Sequence, residues 1–358
     1  MSATHLSGQD TLLGRSQDVF RPAAQNSTTT STTAGMQAFN HDGLGFLTAQ
    51  TAIPVSPLTP TVTEFLNAAI SEYVIGGVPA GMTQFTVGGQ QMTYYDTLTG
   101  AVAHAWVSAE HQVVISYAGT TGGENLLLNP LLTAGGLISD LQIYSQQVST
   151  AQTESLAFAR SVIAAANAQG YANSQIFVTG HSLGGIEASY VAQQTGLGGI
   201  AFEATGIPAA SGAVGKGTNF VSVVTDGDPV GNYSTDIQGE QPFAPAYVPT
   251  SQGGGSYAHY GTILQIGSAA DQAALTTAAT LTTNLLTSVV GVADLVSLIA
   301  EFHLPKSLYT DLDVTATGNL LATLPSNIGV AHGAVLPVSG DTIGQLQAYI
   351  STHATTTA

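Results

Sequence analysis

Residues 175–185 read QIFVTGHSLGG. The apolar residues 175–179 predict a buried strand, and residues 184–194 predict a helix that ends at Gly196. Between them lies a G-x-S-x-G pattern centred on Ser182. Its two glycines permit a sharp strand-to-helix turn, which would project the serine from the top of a sheet. The alternative interpretation is a glycine-rich turn that only joins a strand to a helix.

Strands and helices alternate on both sides of this stretch. Residues 113–117 predict a buried strand, and residues 153–170 predict a helix with a threonine N-cap and a closing glycine. Two more strands are predicted at 199–203 and 219–225. Such alternation indicates a mostly parallel central sheet with helices on both faces. The predicted class is therefore α/β, with the α/β-hydrolase fold and additional helical lid or cap segments.

An exposed serine becomes a nucleophile only when a base removes its proton and a carboxylate orients that base. In the predicted fold the acid and the histidine follow the serine in the chain. The sequence DGDPV, residues 226–230, follows the strand at 219–225. Asp228 is the favoured acid because Pro229 fixes the backbone beside it, whereas Asp226 is suited to forming the turn. Glu203, at the end of the preceding strand, is a third candidate.

Four histidines follow Asp228. His303 lies where proline ends an apolar helix, and His259 lies in the segment SYAHY. Spacing alone favours neither of these two. His332 is in a loop-like setting without further support, and His353 lies in a threonine-rich tail and is set aside.

Composition excludes several classes of function. The chain has 22 acidic and 5 basic residues, a net charge of −17. So few cations cannot neutralise a phosphate backbone, which excludes nucleic acid as a partner. Contact with a lipid–water interface would have to be apolar. The absence of cysteine excludes disulfides, thiolate metal sites and a cysteine nucleophile. Neither a metal nor an organic cofactor is expected, and no protein partner is implied.

Three regions are predicted along the chain. Residues 1–35 form a flexible polar arm, residues 36–350 a single domain, and residues 351–358 a tail. The N-terminus lacks a basic region followed by an apolar run, so no cleavable secretory signal peptide is expected. Residues 278–300 are the most apolar stretch, but they contain Asn284 and Asp294. We interpret them as a buried or surface-docked helix rather than a transmembrane span.

Several of these motifs together resemble a known family. The sequences GHSLGG at 180–185, DPV at 228–230 and HLP at 303–305 are similar to the catalytic blocks of bacterial family I.3 lipases, and more broadly to class 3 lipases. GTTG at 119–122, followed by LISDL at 137–141, resembles the family's oxyanion strand end. The similarity spans roughly residues 90–315. It implies Ser182 as the nucleophile, Asp228 as the acid and His303 as the base, and it implies the backbone N–H groups of Thr120 and Leu183 as oxyanion donors.

The resemblance also sets the expected activity. It implies a serine carboxylic-ester hydrolase, a lipase or esterase that cleaves lipid-like esters through an acyl-enzyme. A phospholipase A1, a polyester depolymerase or a peptidase on the same scaffold is the alternative, and a non-catalytic adhesion or surface protein is the alternative of another class. The family has arginine where this chain has Ala118, and the glycine-aspartate repeats of its calcium β-roll are missing. The resemblance favours a secreted protein, and a cytoplasmic one remains an alternative.

The leucine-rich segment 126–138 gives the last prediction. It has seven leucines or isoleucines in thirteen residues and contains Gly135 and Gly136 as possible hinges. One interpretation is a buried segment packed on the sheet. The other is an apolar flap, formed with part of 278–300, that covers the serine in water and opens against lipid.

Overall fold

The computed structural model describes residues 59–74, 76–96, 101–119, 148–209, 212–237, 257–283, 286–316 and 332–353. The chain divides into two units, Met1–Gln50 and Thr51–Ala358, and every described residue belongs to the second. The predicted N-terminal arm therefore lies outside the described residues.

The described strands form one large mixed sheet and a small ribbon. In chain order they are β1 Met82–Gln84, β2 Thr86–Val87, β3 Gln90–Gln91, β4 Thr93–Tyr95, β5 Val102–Ser108, β6 Val113–Tyr117, β7 Ile176–His181, β8 Gly198–Phe202, β9 Phe220–Thr225 and β10 Thr262–Ile266. β2 and β3 pair as an antiparallel ribbon. The large sheet has the order β1-β5-β6-β7-β8-β9-β10, and β4 also pairs with β5.

Strand direction separates the sheet into two parts. β5 pairs antiparallel with each of its partners, β1, β4 and β6. The strands β6, β7, β8, β9 and β10 run parallel to one another. Every residue of β6, β7, β8 and β9 is buried. Parallel strands with both faces covered have this continuous burial. The carboxyl ends of these strands lie at one edge of the sheet, where loops from different parts of the chain can meet.

Helices cover both faces of the parallel part. The described helices are α1 Val62–Ser71, α2 Thr150–Ala168, α3 Leu183–Thr195, α4 Ala269–Thr283, α5 Ser288–Leu298, α6 Pro305–Asp311 and α7 Ile343–His353. Short 3-10 and π segments lie at Asn173–Gln175 and Ile299–His303. α2 and α3 contribute to the core on one face, and α1, α6 and α7 to the core on the other.

The alternation of strand side chains produces these two cores. In β7, Ile176 and Val178 face the α2–α3 side and Phe177 the α1 side. Successive residues of a strand point to opposite faces, so an unbroken apolar run can supply both cores. Burying each large apolar side chain contributes about 1.5–3 kcal/mol. The apolar runs of the parallel strands thus explain why the sheet is a central layer.

Two helices differ from their predicted bounds. α2 begins three residues before the predicted start, because Ser149 and Gln152 form a capping box, with Ser149 N–H to Gln152 Oε1 at 2.8 Å. Thr153, the predicted N-cap, lies inside the helix, where its hydroxyl donates to the Ser149 carbonyl. The predicted apolar helix 278–300 is divided between α4, α5 and the π segment.

No single described helix has both the length and the apolar composition to cross a bilayer. The segments Ser288–His303 and Pro305–Asp311 meet that criterion only when taken together, and they are bent by 51°.

Candidate active site

Ser182 occupies a strained turn between β7 and α3. β7 ends at His181 and α3 begins at Leu183, so Ser182 alone makes the turn, with φ 59° and ψ −127°. A non-glycine residue rarely adopts positive φ, and such strain persists only where surrounding contacts hold it. The Ser182 N–H donates to the Phe202 carbonyl at 2.9 Å, and the Ser182 carbonyl accepts from the Ile186 N–H at 3.1 Å. These bonds tie the turn to both β8 and the helix.

The glycines of the motif are required by close backbone contacts. A methyl group on Gly180 would lie 2.2 Å from the carbonyl oxygen of Gly184. A methyl group on Gly184 would lie 2.1 Å from the carbonyl oxygen of Tyr117, at the end of β6. Backbone atoms cannot move aside cheaply in a packed core. Glycine at these positions therefore lets the first turn of α3 sit directly against two strand ends.

Three buried side chains from distant parts of the chain meet at this turn. The Ser182 hydroxyl lies 2.8 Å from Nε2 of His303, and Nδ1 of His303 lies 2.9 Å from Oδ2 of Asp228. Asp228 follows β9, and His303 is the last residue of the π segment. Their exposed fractions are 2% for Ser182 and 0% for the other two. The structure thus brings together the serine, the favoured acid and one of the two equally favoured histidines.

The Asp228 carboxylate is held by backbone donors. Oδ1 accepts from the Val230 N–H and Oδ2 from the Gly231 N–H, both at 2.9 Å. Burial alone would raise the pKa of Asp228, but the charge and hydrogen bond of His303 and these donors lower it below its ordinary value. Asp228 is therefore ionised and fixed in orientation.

The hydrogen bonds define the state of the His303 ring. An ionised carboxylate only accepts hydrogen bonds, so Nδ1 of His303 carries a proton and donates it to Asp228. In the neutral ring Nε2 is then an acceptor and faces the Ser182 hydroxyl. This arrangement can remove the serine proton and stabilise the imidazolium that forms.

A second histidine anchors the backbone of His303. Nε2 of His181 lies 2.9 Å from the His303 carbonyl oxygen, and Nδ1 of His181 lies 2.7 Å from the Tyr73 hydroxyl. Burial and the neighbouring His303 lower the pKa of His181 to about 3, so its ring is neutral. It donates from Nε2 and accepts from Tyr73. The sequence reasoning missed this contact, although His181 lies inside the G-x-S-x-G pattern, because Tyr73 lies outside the motifs.

Of the two predicted oxyanion donors, the structure describes Leu183 but not Thr120. Leu183 is the first residue of α3, so its backbone N–H belongs to the helix end that lacks intrahelical partners. The positive end of the helix dipole lies at the same place. Thr120 lies outside the described residues, which reach Gly119 after β6. The leucine-rich segment 126–138, the predicted flap, also lies outside them.

His259, the alternative base, has partners elsewhere. Its Nδ1 lies 2.9 Å from Oδ1 of Asp236, and its Nε2 lies 3.0 Å from the carbonyl oxygens of Ala204 and Gly231. With one nitrogen on a carboxylate and the other on two carbonyls, His259 connects loops beside the site. The structure does not bring it to Ser182.

The remaining candidates also lie apart from Ser182. His332 pairs with Asp311, with 3.2 Å between Nδ1 and Oδ2. His353 is exposed at the end of α7. The Asp226 carboxylate is bonded to the Gln265 amide, and burial raises its pKa to about 6. Asp226 thus sits in the turn after β9, as the sequence suggested.

Glu203, the third candidate acid, is buried behind the site. It is hydrogen-bonded to Thr225, whereas Asp228 is the residue that contacts His303. One polar atom from each of Glu203, Asp228 and His303 lies within 4.8 Å of the others. Carboxylates and imidazole can also ligate metals. Nδ1 of His303 and Oδ2 of Asp228 already lie at hydrogen-bond distance from each other.

Comparison with known proteins gives distant similarities. No protein-family model and no curated protein matches the chain. One similar solved structure is the extracellular lipase LipA from Serratia marcescens, with 22% identity, a TM-score of 0.28, and coverage of 42% of this chain and 28% of that one. This chain thus spans less than a third of that lipase. Another is a triacylglycerol lipase from Penicillium expansum, with 14% identity, a TM-score of 0.36, and coverage of 58% and 80%. Both scores are low, so the function is inferred from the site's own geometry.

Proposed function

We propose that this protein is a serine carboxylic-ester hydrolase with the α/β-hydrolase fold, in which Ser182, His303 and Asp228 act as a catalytic triad. The observation that carries the proposal is the continuous chain of hydrogen bonds from the Ser182 hydroxyl through His303 to Asp228, at 2.8 and 2.9 Å. It occurs at a strained strand-to-helix turn, where a serine hydroxyl can approach a substrate carbonyl.

The residues would carry out the reaction in two halves. Ser182 Oγ attacks the ester carbonyl carbon while Nε2 of His303 takes the hydroxyl proton. The tetrahedral intermediate collapses when His303 gives that proton to the departing alcohol, which leaves an acyl group on Ser182. His303 then takes a proton from a water molecule as that water attacks the acyl carbon, and it returns the proton to Ser182 Oγ as the bond to the acyl group breaks and the acid is released. Asp228 keeps the imidazole oriented and stabilises its positive charge throughout.

Backbone donors would stabilise the oxyanion. We assign this role to the N–H groups of Leu183 and Thr120. The support for Leu183 is its position at the start of α3, directly after the nucleophile. Thr120 is carried over from the motif resemblance. Loss of one such donor costs about 10²–10³-fold in kcat.

We further propose that the substrates are lipid-like esters. Leu286, Val289, Val290 and Val292 expose apolar side chains, with exposed fractions of 92% for Leu286 and 82% for Val289. All but Leu286 lie on α5, which leads through the π segment to His303. An exposed apolar group on the helix that leads to the proposed base suits contact with a lipid–water interface. With a net charge of −17, this contact would depend on apolar rather than basic side chains.

A fluorophosphonate probe tests the chemistry directly, because it labels only an activated serine. We expect labelling of the wild-type protein at Ser182 and none in Ser182→Ala. If Ser182 is not labelled in the folded wild type, the hydrolase proposal is wrong.

A substrate panel then tests the substrate class. It runs from short p-nitrophenyl esters to triglyceride and phospholipid emulsions, with Ser182→Ala as the blank. We expect turnover of long-chain esters in emulsion. A preference for phospholipids would instead indicate a phospholipase, and turnover of short soluble esters alone would indicate an ordinary esterase.

A further inference from the structure

A second buried carboxyl group lies directly behind the proposed triad. The side chains of Glu203 and Asp228 both have an exposed fraction of 0%. A methyl group on Gly231 would lie 2.9 Å from Oε2 of Glu203 and 3.0 Å from Oδ2 of Asp228, so both carboxyl groups approach one backbone position. Two carboxylates cannot both be ionised so close together in a buried site. The pair must therefore hold a proton.

The surrounding donors decide which carboxyl group keeps that proton. Asp228 accepts from two backbone N–H groups and from Nδ1 of His303. Among the described residues, Glu203 accepts from the Thr225 hydroxyl and from the Thr225 N–H, the latter at 3.2 Å from Oε2. An anion is more stable where more donors and a partner that becomes cationic face it. The negative charge therefore belongs on Asp228 and the proton on Glu203.

The electrostatics of the pair agree with this count. Burial, followed by the charge of Asp228, raises the pKa of Glu203 well above its ordinary value. The titratable groups facing Glu203 are Asp228 and, beyond it, His303 with His181 against it. From the neighbouring loop, His259 contacts the carbonyl of Ala204 next to Glu203.

The backbone at Glu203 is also specialised. Glu203 follows β8 with φ 49°, in the left-handed region that is unfavourable for a non-glycine residue. Its N–H still donates to the Val223 carbonyl at 2.9 Å, which holds this conformation against β9. The chain thus keeps a strained conformation at the residue whose side chain reaches Asp228.

We propose that Glu203 is a positioning residue whose neutral carboxyl group donates a hydrogen bond to Asp228 and extends the triad to a fourth member. This inference rests on the proposed function. By donating to Asp228, Glu203 fixes the carboxylate against His303 and disperses part of its negative charge. Glu203 does not touch the substrate or the reacting atoms.

Two substitutions separate this role from a merely structural one. In Glu203→Gln the amide N–H₂ group can donate to Asp228 while its oxygen accepts from the Thr225 hydroxyl. The Thr225 N–H, which donates to Oε2 in the wild type, then loses its acceptor, so the variant should be less stable. We expect kcat and the pH profile of kcat/KM to stay within about twofold of wild type. In Glu203→Leu the donor is lost. We expect kcat to fall by about tenfold, which corresponds to losing one hydrogen bond to a charged group, with little change in KM.

The pH profile is the diagnostic readout. Without the donor, Asp228 retains more negative charge and favours the protonated base. The acidic limb of the kcat/KM profile should therefore move to higher pH in Glu203→Leu and stay in place in Glu203→Gln. A packing defect would lower kcat without moving this limb. Glu187, another fully buried glutamate with a pKa raised by burial to about 8, provides matched controls, and Glu187→Gln and Glu187→Leu should leave the limb unchanged.

Infrared spectroscopy tests the proton itself, independently of turnover. In the Glu187→Gln background at pH 8, where Asp226 with its pKa of about 6 is ionised, a protonated-carboxyl band should be present and should disappear when Glu203→Gln is added. Exposed Glu110→Gln is the control that should not change it.

The outcomes also separate this inference from the proposed function. Failure of the wild type to label at Ser182 or to hydrolyse any ester would contradict the function itself. If the wild type is active, a Glu203→Leu variant with wild-type kcat and profile would overturn the inference. A Glu203→Gln variant whose acidic limb moves to lower pH would overturn it too, because a negative charge would have been removed. Should Glu203→Leu fail to fold, Glu203→Gln and the infrared band still decide.

Discussion

Replacement of Asp228 by asparagine removes a charge from the site with almost no change in volume. The carboxylate accepts three N–H bonds at 2.9 Å, one on Oδ1 from Val230 and two on Oδ2 from Gly231 and His303. An asparagine side chain has only one acceptor oxygen. Either orientation of the amide therefore places its N–H₂ group against a buried donor.

The two orientations have different costs. With the amide oxygen in the Oδ2 position, only the Val230 N–H loses its partner, at about 1–3 kcal/mol of unfolding free energy. With the oxygen in the Oδ1 position, both the Gly231 N–H and His303 Nδ1 face the amide donor. His303 would then carry its proton on Nε2 and could not accept the Ser182 proton. The first orientation leaves one buried donor without an acceptor and the second leaves two, so the first has the lower free energy. Neither orientation supplies the negative charge that stabilises the imidazolium.

We expect kcat/KM of Asp228→Asn to fall by about 10³–10⁴-fold, as for loss of the acid from a serine triad, with the fold retained. The assay is hydrolysis of a soluble p-nitrophenyl ester, with urea unfolding for stability. The lowered pKa of Asp228 contributes stability above the unfolded carboxyl pKa of about 4, which is lost as pH falls through the folded value. The stability difference from wild type should therefore be largest near neutral pH. Activity within tenfold of wild type would refute the assigned role of Asp228.

The other predictions concern the base, the turn and its anchor. His303→Ala should reduce ester hydrolysis about as much as Ser182→Ala, since the members of a triad act as a unit. His259→Ala should mainly lower the unfolding temperature. If kcat/KM fell more in His259→Ala than in His303→Ala, the base would be His259. Gly184→Ala should destabilise the protein by about 1–3 kcal/mol through overpacking, and denaturant unfolding with an unchanged midpoint would contradict the 2.1 Å contact. Tyr73→Phe removes the hydroxyl that donates to His181 and should lower the free energy of unfolding by about 1–3 kcal/mol. It should also reduce kcat more than it changes KM. Kinetics equal to those of wild type would show that the contact between Tyr73 and His181 does not position His303.

Local sequence determined the elements that build the turn. β6 occupies the predicted residues 113–117, and β7 and α3 lie within two residues of their predicted bounds. Such patterns are readable because apolar runs, glycines and caps act over a few residues. The start of α2 was mispredicted because Ser149 and Thr153 can both cap a helix, and the Ser149 capping box prevailed.

The choice between His303 and His259 needed the tertiary structure. His303 lies 75 residues from Asp228 and 121 from Ser182, and no local pattern measures such separations. Both histidines are buried and paired with an aspartate. Only the packing of the loops after the parallel strands distinguishes them.

The contacts around the proposed triad could not be predicted from the sequence for the same reason. Tyr73 reaches His181 across 108 residues, and Glu203, at the end of β8, lies 25 residues from Asp228, which follows β9. Local sequence patterns identified which residue types could do the chemistry and where a nucleophile could project from the sheet. Tertiary structure decided which of them share one buried volume, and burial sets which carboxyl group is charged, because the cost of a buried charge depends on all its neighbours in space.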